Sequence, residues 1–94
     1  MSEQELIELL ADKEHASWAR WMTYLFRVCQ REPDGSITIS PQLVDHWQGQ
    51  IDTPYSELTE REKESDRAEV AHILPIIKIF IQQKNIFPFK WQIK

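Results

Sequence analysis

Apolar residues recur at helical spacing in three separate stretches of the chain. Residues 3–30 carry the longest run, with aliphatic side chains in the first turns and a broad apolar arc from His15 to Cys29. Residues 41–51 carry a shorter apolar face, and residues 60–83 carry a third. Apolar positions that repeat every three to four residues line one side of an α-helix, so the pattern predicts three helices over these ranges.

Residues of the capping type stand before each predicted helix. Ser2 and Glu5 have the spacing of a capping box, in which a hydroxyl and a carboxylate each accept a backbone N–H from the other residue. Thr59 and Glu62 repeat this spacing before the third helix. The Ser-Pro pair at 40–41 is typical of an N-cap followed by the first helical position.

The second half of the third helix is open to two interpretations. Pro75 should break or kink a helix, because proline lacks a backbone N–H. Residues 76–81 are almost all apolar and β-branched, which suits a strand or a buried helix equally. We expect a kinked helix that continues to about Gln83.

A short β element is the remaining prediction. Residues 33–36 (Pro-Asp-Gly-Ser) predict a turn, and residues 37–39 alternate in polarity after it. The tail segment 89–93, in an aromatic-rich stretch that also contains lysines, is the expected pairing partner. The tail could instead stack single-stranded nucleic acid or reach a neighbouring subunit. The fold class predicted is therefore a mainly α, three-helix domain of residues 1–94 with at most one short β pair.

Composition narrows the function classes. A chain of 94 residues has room for one domain, and its net charge of −4 argues against binding duplex nucleic acid. The single Cys29 excludes an internal disulfide and fits a reducing compartment. The acidic N-terminal segment does not match a signal peptide, and no apolar run is long enough to span a bilayer. These features predict a cytoplasmic protein.

Candidate chemistry is sparse. The three histidines and Cys29 lack the close paired spacing of a zinc site, so we predict no metal and no cofactor. No nucleophile or acid–base pair stands out, so we predict a protein that is not an enzyme. The aromatic side chains could sandwich a planar ligand, anchor an interface or simply form the core, and three arginines could bind a phosphate or carboxylate beside them. The aromatic residues are Trp18, Trp21, Tyr24, Trp47 and Tyr55, and the arginines are Arg20, Arg27 and Arg67.

Two strings resemble a known family in their spacing. They are the segment at 15–19 (His-Ala-Ser-Trp-Ala) and the segment at 55–66 (Tyr-Ser-Glu-Leu-Thr-Glu-Arg-Glu-Lys-Glu-Ser-Asp). Together they resemble the small RyR domain, named from the ryanodine receptor repeats and also found in stand-alone bacterial and phage proteins. The family's glycine-tryptophan segment after the first helix is replaced here by residues 31–40. The resemblance implies a non-enzymatic module that recognises a nucleotide-like ligand.

Two functional hypotheses follow. In the first, the RyR-like module binds its small ligand near His15, Trp18, Tyr55 and Arg67. In the second, a regulatory protein binds another protein through the apolar first helix and the tail.

Self-association is a further expectation. A short chain cannot cover both the first helix and the apolar stretch around Pro75, so we predict a homodimer. Its expected interface residues are Trp21, Leu25, Ile77 and Phe80. The alternative is a compact monomer in which the tail covers those surfaces.

Overall fold

Three helices dominate the computed structural model, which describes residues 1–84. Helix α1 runs from Glu3 to Val28, α2 from Pro41 to Ile51 and α3 from Glu60 to Lys84. A short 3₁₀ turn, Tyr55–Glu57, lies between α2 and α3. The mainly α fold is confirmed, with the predicted bounds of α2 reproduced and those of α1 and α3 within two residues.

Local side-chain chemistry explains why the helices start where they do. The Ser2 hydroxyl accepts the Glu5 N–H at 3.0 Å, and the Glu5 carboxylate accepts the Ser2 N–H at 2.7 Å. The Thr59 hydroxyl and the Glu62 carboxylate exchange the same pair of bonds, at 3.2 and 2.9 Å. The Ser40 hydroxyl caps α2 by accepting the Leu43 N–H at 3.2 Å. These bonds satisfy N–H groups that a helix start otherwise leaves unpaired.

A short β element forms at residues 37–38, and its described partner is a segment that the sequence analysis did not predict as a strand. Strand β1, Gln30–Arg31, pairs antiparallel with strand β2, Ile37–Thr38. The segment 89–93, predicted as the partner of 37–39, lies outside the described residues. Because β1 ends only a short loop before β2 begins, little chain entropy is lost in closing this hairpin.

The hairpin loop is organised by Asp34 and Gly35. The Asp34 carboxylate accepts hydrogen bonds from the Ser36 hydroxyl at 2.6 Å and from the Ser36 N–H at 2.9 Å. These two bonds hold the pKa of Asp34 below its usual value. Gly35 has a φ of 92°, a conformation that residues with a Cβ rarely adopt. The turn predicted from residues 33–36 is confirmed.

Helix α3 continues through Pro75 to Lys84. Proline has no N–H to donate, so one bond of the helical ladder is missing at this point. The strand alternative for residues 76–81 is wrong, and the helical interpretation is confirmed. The apolar character of this stretch therefore marks a packing face of α3.

The chain divides into two compact units. A terminal unit contains residues 1–17 and the described residues from Arg67 onwards, and a central unit contains Trp18–Asp66. Helix α1 begins in the terminal unit and ends in the central one. Helix α3 begins in the central unit and ends in the terminal one. In the terminal unit the amino group of Met1 donates a hydrogen bond to the side chain of Gln83.

None of the described residues is fully buried. The packing faces consist of half-buried side chains. In the terminal unit they include Leu6, Leu10, Ile73, Ile76, Ile77, Phe80 and Ile81, and in the central unit Met22, Leu25, Cys29, Ile37, Leu43, Trp47 and Leu58. Much of the apolar surface of the described residues therefore remains in contact with water.

Candidate functional site

The second half of α1 exposes large aromatic side chains. Trp18 is 57% exposed, Trp21 48% and Phe26 46%, and Tyr24 lies among them. Rings of this size ordinarily contribute most to the burial energy of a small domain. Their exposure marks residues 18–31, which extend from the second half of α1 into strand β1, as a candidate interaction surface, which we call the aromatic surface.

Contacts within the aromatic surface hold its side chains in place. The rings of Trp21 and Tyr24 meet edge to face, with centroids 6.3 Å apart and planes at 88°. The guanidinium of Arg27 lies over the Tyr24 ring at 5.3 Å, and that of Arg31 lies over Phe26 at 5.8 Å. An arginine stacked on a ring keeps its N–H groups available at the edge for a carboxylate or phosphate. The surface thus presents ordered cations beside ring faces.

A shallow groove runs along the same helix. It has a volume of about 360 Å³, opens widely to solvent and is lined by Ala19, Arg20, Thr23, Tyr24 and Arg27. The Thr23 hydroxyl is turned back onto the helix, where it donates to the Ala19 carbonyl at 2.7 Å. The lining therefore combines two small side chains with two arginines and one tyrosine. Small molecules are usually bound in enclosed pockets, so an open groove of this kind is better suited to a side chain of a partner protein.

The electrostatics of this stretch differ from those of the rest of the chain. No aspartate or glutamate occurs between Glu14 and Glu32, whereas Arg20, Arg27 and Arg31 all lie there. The complete chain nevertheless has a net charge of −4. The aromatic surface is therefore a basic region of an acidic protein. The lack of acidic residues over this stretch can be read from the sequence. Considering the arginines one at a time does not show it.

A third cation–aromatic pair lies at the entrance to α3. The Lys63 ammonium lies over the ring of Tyr55 at 5.7 Å, and that ring is 48% exposed. Close by in sequence, the Glu62 carboxylate accepts bonds from the Thr59 N–H and from the Gln50 amide, the latter at 2.6 Å. The Thr59 N–H first, and then the Gln50 side chain, lower the pKa of Glu62. Tyr55 thus lies in the segment between α2 and α3, two helices that are joined by the hydrogen bond from Gln50 to Glu62.

The predicted ligand residues are distributed over both units. His15 and Arg67 belong to the terminal unit, and Trp18 and Tyr55 belong to the central unit. His15 and Trp18 lie one turn apart on α1. The grouping of all four residues around one ligand stays a prediction.

The predicted interface residues differ in exposure. Trp21 is exposed, whereas Leu25, Ile77 and Phe80 are half-buried within their own units. Ile77 and Phe80 lie on the packing face of α3, among the half-buried residues of the terminal unit. The homodimer built on these four residues stays a prediction, and Trp21 is the one of the four whose side chain is exposed.

Residue types that bind metal ions form no cluster in the described part of the chain. No three histidine, cysteine, aspartate or glutamate side chains among residues 1–84 are grouped to hold a metal ion. Cys29 is a free, half-buried thiol. None of the helices within this range combines the length and the apolar character needed to cross a membrane. The tail lysines and aromatic residues lie outside the described residues.

Comparison of the chain with protein-family models, with curated proteins and with solved structures finds no match. The resemblance to the RyR domain therefore stays a prediction that rests on the two segments at 15–19 and 55–66.

Proposed function

We propose that this protein is a non-enzymatic interaction module that binds another protein through the aromatic surface of α1. The observation that supports the proposal most directly is the exposure of Trp18, Trp21 and Phe26 on one stretch of helix. Tryptophan, tyrosine and arginine are the residue types that dominate the binding energy of protein interfaces. The aromatic surface combines all three types within three helical turns.

Ordering of the side chains before binding adds to this argument. Immobilising a flexible side chain during association costs free energy, and arginine is among the most flexible residues. Here Arg27 is already stacked on Tyr24, and Tyr24 is in contact with Trp21. The entropy cost of fixing these groups has been partly met in the free protein. A partner that covers them would gain the burial of the rings at reduced cost.

A nucleotide-like ligand is the second candidate. The pairing of Lys63 with the exposed ring of Tyr55 favours it, because a cation beside an aromatic face suits a planar, anionic molecule. His15, Trp18 and Arg67 are the other residues that the RyR resemblance implies for such a ligand.

A photo-crosslinking experiment tests the first proposal. A crosslinking amino acid is placed at Trp21, and a matched variant carries it at Gln42, an exposed position on α2. In cells that make the protein, we expect a single defined adduct from position 21 and none from position 42. Equal adducts from both positions, or none from either, would contradict the proposal.

A melting-temperature screen tests the second candidate. A ligand that binds the native state raises the melting temperature by mass action. We expect a specific nucleotide to raise that of the natural chain and to have no effect on Tyr55→Ala. If no nucleotide shifts either protein, the ligand hypothesis is excluded for the compounds in the screen, while the crosslinking result stands independently.

A further inference from the structure

Three exposed side chains of the central unit form a continuous row on the second half of α1. The rings of Trp21 and Tyr24 meet edge to face, and the Arg27 guanidinium lies over the Tyr24 ring at 5.3 Å. Trp21 is 48% exposed and Tyr24 37%, and Arg27 is exposed as well. From Trp21 to Arg27 the row advances by about 9 Å along the helix axis. The row therefore has an apolar ring at one end and a cation at the other.

The shallow groove described above lies at the cationic end of this row. Tyr24 and Arg27 belong to its lining, and the whole lining belongs to the central unit. The Thr23 hydroxyl in the groove already donates its proton to the Ala19 carbonyl, and Arg20 already interacts within the chain. A guanidinium has five N–H donors, and a ring that packs on its flat face leaves them at its edge. We therefore assign to Arg27 the donors that an anion would meet in this groove.

Arg27 has no acidic neighbour along its own stretch of chain. A helical residue finds an ion-pair partner within its own helix at the positions three and four residues away. Before and after Arg27, these positions are occupied by residues without a carboxylate. They are Thr23, Tyr24, Gln30 and Arg31. Because residues 15–31 contain no aspartate or glutamate at all, this stretch offers a cation without its own local counter-charge.

We propose that the groove binds an aspartate or glutamate side chain of the partner protein, with the Arg27 guanidinium donating to the carboxylate. An apolar side chain of the same partner segment then covers Trp21, about 9 Å away along the row. This assignment, which rests on the proposed function, makes the binding partner an acidic segment of a protein. A planar guanidinium matches a carboxylate with two parallel N–H···O bonds, which gives the contact a defined orientation.

The net charge of the chain favours a local acidic segment over a polyanion. The complete chain carries a charge of −4, so a nucleic acid would be repelled by most of its surface. A single carboxylate interacts mainly with the basic region around it, since dissolved ions screen charges beyond about 8 Å at physiological salt. Phosphorylated segments are usually bound by clusters of arginines, because a phosphate carries up to about two negative charges. One stacked arginine matches the single charge of a carboxylate.

A second substitution in the crosslinking experiment tests this assignment. The crosslinking amino acid stays at position 21, and Arg27→Gln or Arg27→Glu is added. We expect the yield of adduct to fall about fivefold or more with Arg27→Gln and further with Arg27→Glu, which repels a carboxylate. Arg61→Gln is the matched control, because it removes the same charge from an exposed position of α3 in the same unit. It should leave the yield unchanged, and far-ultraviolet circular dichroism confirms that each variant remains helical.

A charge exchange with the partner separates binding from a structural role of Arg27. Mass spectrometry of the adduct identifies the partner segment joined to position 21. We expect an aspartate or glutamate within about six residues of the joined residue, the number that spans 9 Å in a helix. Replacing this acid by arginine should abolish the adduct with the natural Arg27 and restore it with Arg27→Glu. Restoration requires opposite charges that face each other, so a purely structural role of Arg27 would not produce it.

A synthetic peptide copied from the joined segment gives the size of the effect. We expect its affinity, measured by calorimetry, to fall about tenfold with Arg27→Gln, and equally when the acid of the peptide is replaced by its amide. Both changes together should weaken binding little more than either alone, because each removes the same contact. Two effects that simply multiply would show that Arg27 and the acid do not interact, and would overturn the assignment.

The outcomes distinguish the carboxylate assignment from the proposed function. An adduct from position 21 that Arg27→Glu leaves unchanged would keep the protein-binding role of the aromatic surface and overturn the assignment. A joined segment without an acidic residue would overturn it too. So would an adduct that phosphatase treatment abolishes, which would assign the anion to a phosphate, or an adduct that contains nucleic acid. If position 21 gives no adduct, the proposed function and the assignment fail together.

Discussion

Two regions of the central unit, the start of α3 and the second half of α1, use their side chains in opposite ways. At the start of α3 the Thr59 N–H and hydroxyl and the Gln50 amide all donate to the Glu62 carboxylate. That carboxylate therefore accepts three hydrogen bonds from groups of its own chain. Along the second half of α1, Trp18 and Trp21 expose about half of their surface to water.

The difference separates residues that stabilise the protein from residues that are available for a partner. A hydrogen-bonded cap stabilises the helix that follows it, and its loss is seen in the folding equilibrium. A ring that is about half exposed contributes only part of its burial energy to folding, and the rest is gained only when a partner covers it. We therefore expect substitutions in the two regions to affect different measurements.

The largest expected effect is on binding. Trp21→Ala should weaken the affinity for the crosslinked partner by about 2 kcal/mol or more, the size typical of a central interface tryptophan. Its free energy of unfolding in urea should change by less than about 1 kcal/mol, because the ring is exposed. Val44→Ala, on α2 at an equal exposure of 48%, is the control. If both substitutions lowered the affinity equally, the aromatic surface would have no special role.

Removing the cap of α3 should have the reverse effect. Thr59→Ala should lower the free energy of unfolding by about 1 kcal/mol, the usual cost of losing a threonine N-cap, with partner affinity unchanged. Ser65→Ala, which removes an exposed hydroxyl within α3, should be neutral or slightly stabilising because alanine is the better helix former. Equal changes in unfolding free energy for the two variants would mean that the cap makes no contribution.

The capping carboxylates should make stability depend on pH. The pKa of Glu62 is lowered in the folded chain, first by the Thr59 N–H, and that of Glu5 is lowered, first by the Ser2 N–H. A lowered pKa means that the stabilisation is complete above the unfolded value of 4.5 and is lost as pH falls through the folded value.

Urea unfolding at pH 6 and pH 3.5 measures this effect. We expect Glu62→Gln to lose less stability between the two pH values than the natural chain, because glutamine has no proton to take up. Glu57→Gln, an exposed glutamate outside the capping box, is the control and should behave like the natural chain. A pH dependence unaltered by Glu62→Gln would show that the capping carboxylate is not its source.

The smallest expected effect is on the cation–aromatic contact within the aromatic surface. Arg27→Ala should lower the free energy of unfolding by about 0.5 kcal/mol, since such contacts are weak at exposed positions. Arg27→Lys keeps the charge and should recover part of that loss, while losing the planar stacking. A loss above about 2 kcal/mol, well beyond the range of an exposed contact, would show that this side chain supports the fold itself, and the contrast between the two regions would disappear.

The candidate site was only partly predictable. Trp18, Trp21 and Tyr24 were identified from residue type, and Arg20 and Arg27 were noted as possible anion-binding groups. The stacking of Arg31 on Phe26 was not anticipated, because it joins the end of α1 to the hairpin. Sequence alone could not distinguish exposed tryptophans from core tryptophans, because a broad apolar arc is compatible with both.

The amino-acid sequence by itself determined the helices and their starts. Ser2, Ser40 and Thr59 act on backbone groups within three residues, and apolar spacing within one helix is equally local. The turn at Gly35 follows from the same short-range chemistry.

Only the tertiary structure decided how those elements are used. It paired Ile37–Thr38 with Gln30–Arg31, divided the helices between two units and left Trp18 and Trp21 exposed. Strand pairing and burial depend on which of several distant segments gains the most contact for the chain entropy it loses. That balance depends on pairs of segments, so it cannot be read from the residue pattern of any single segment.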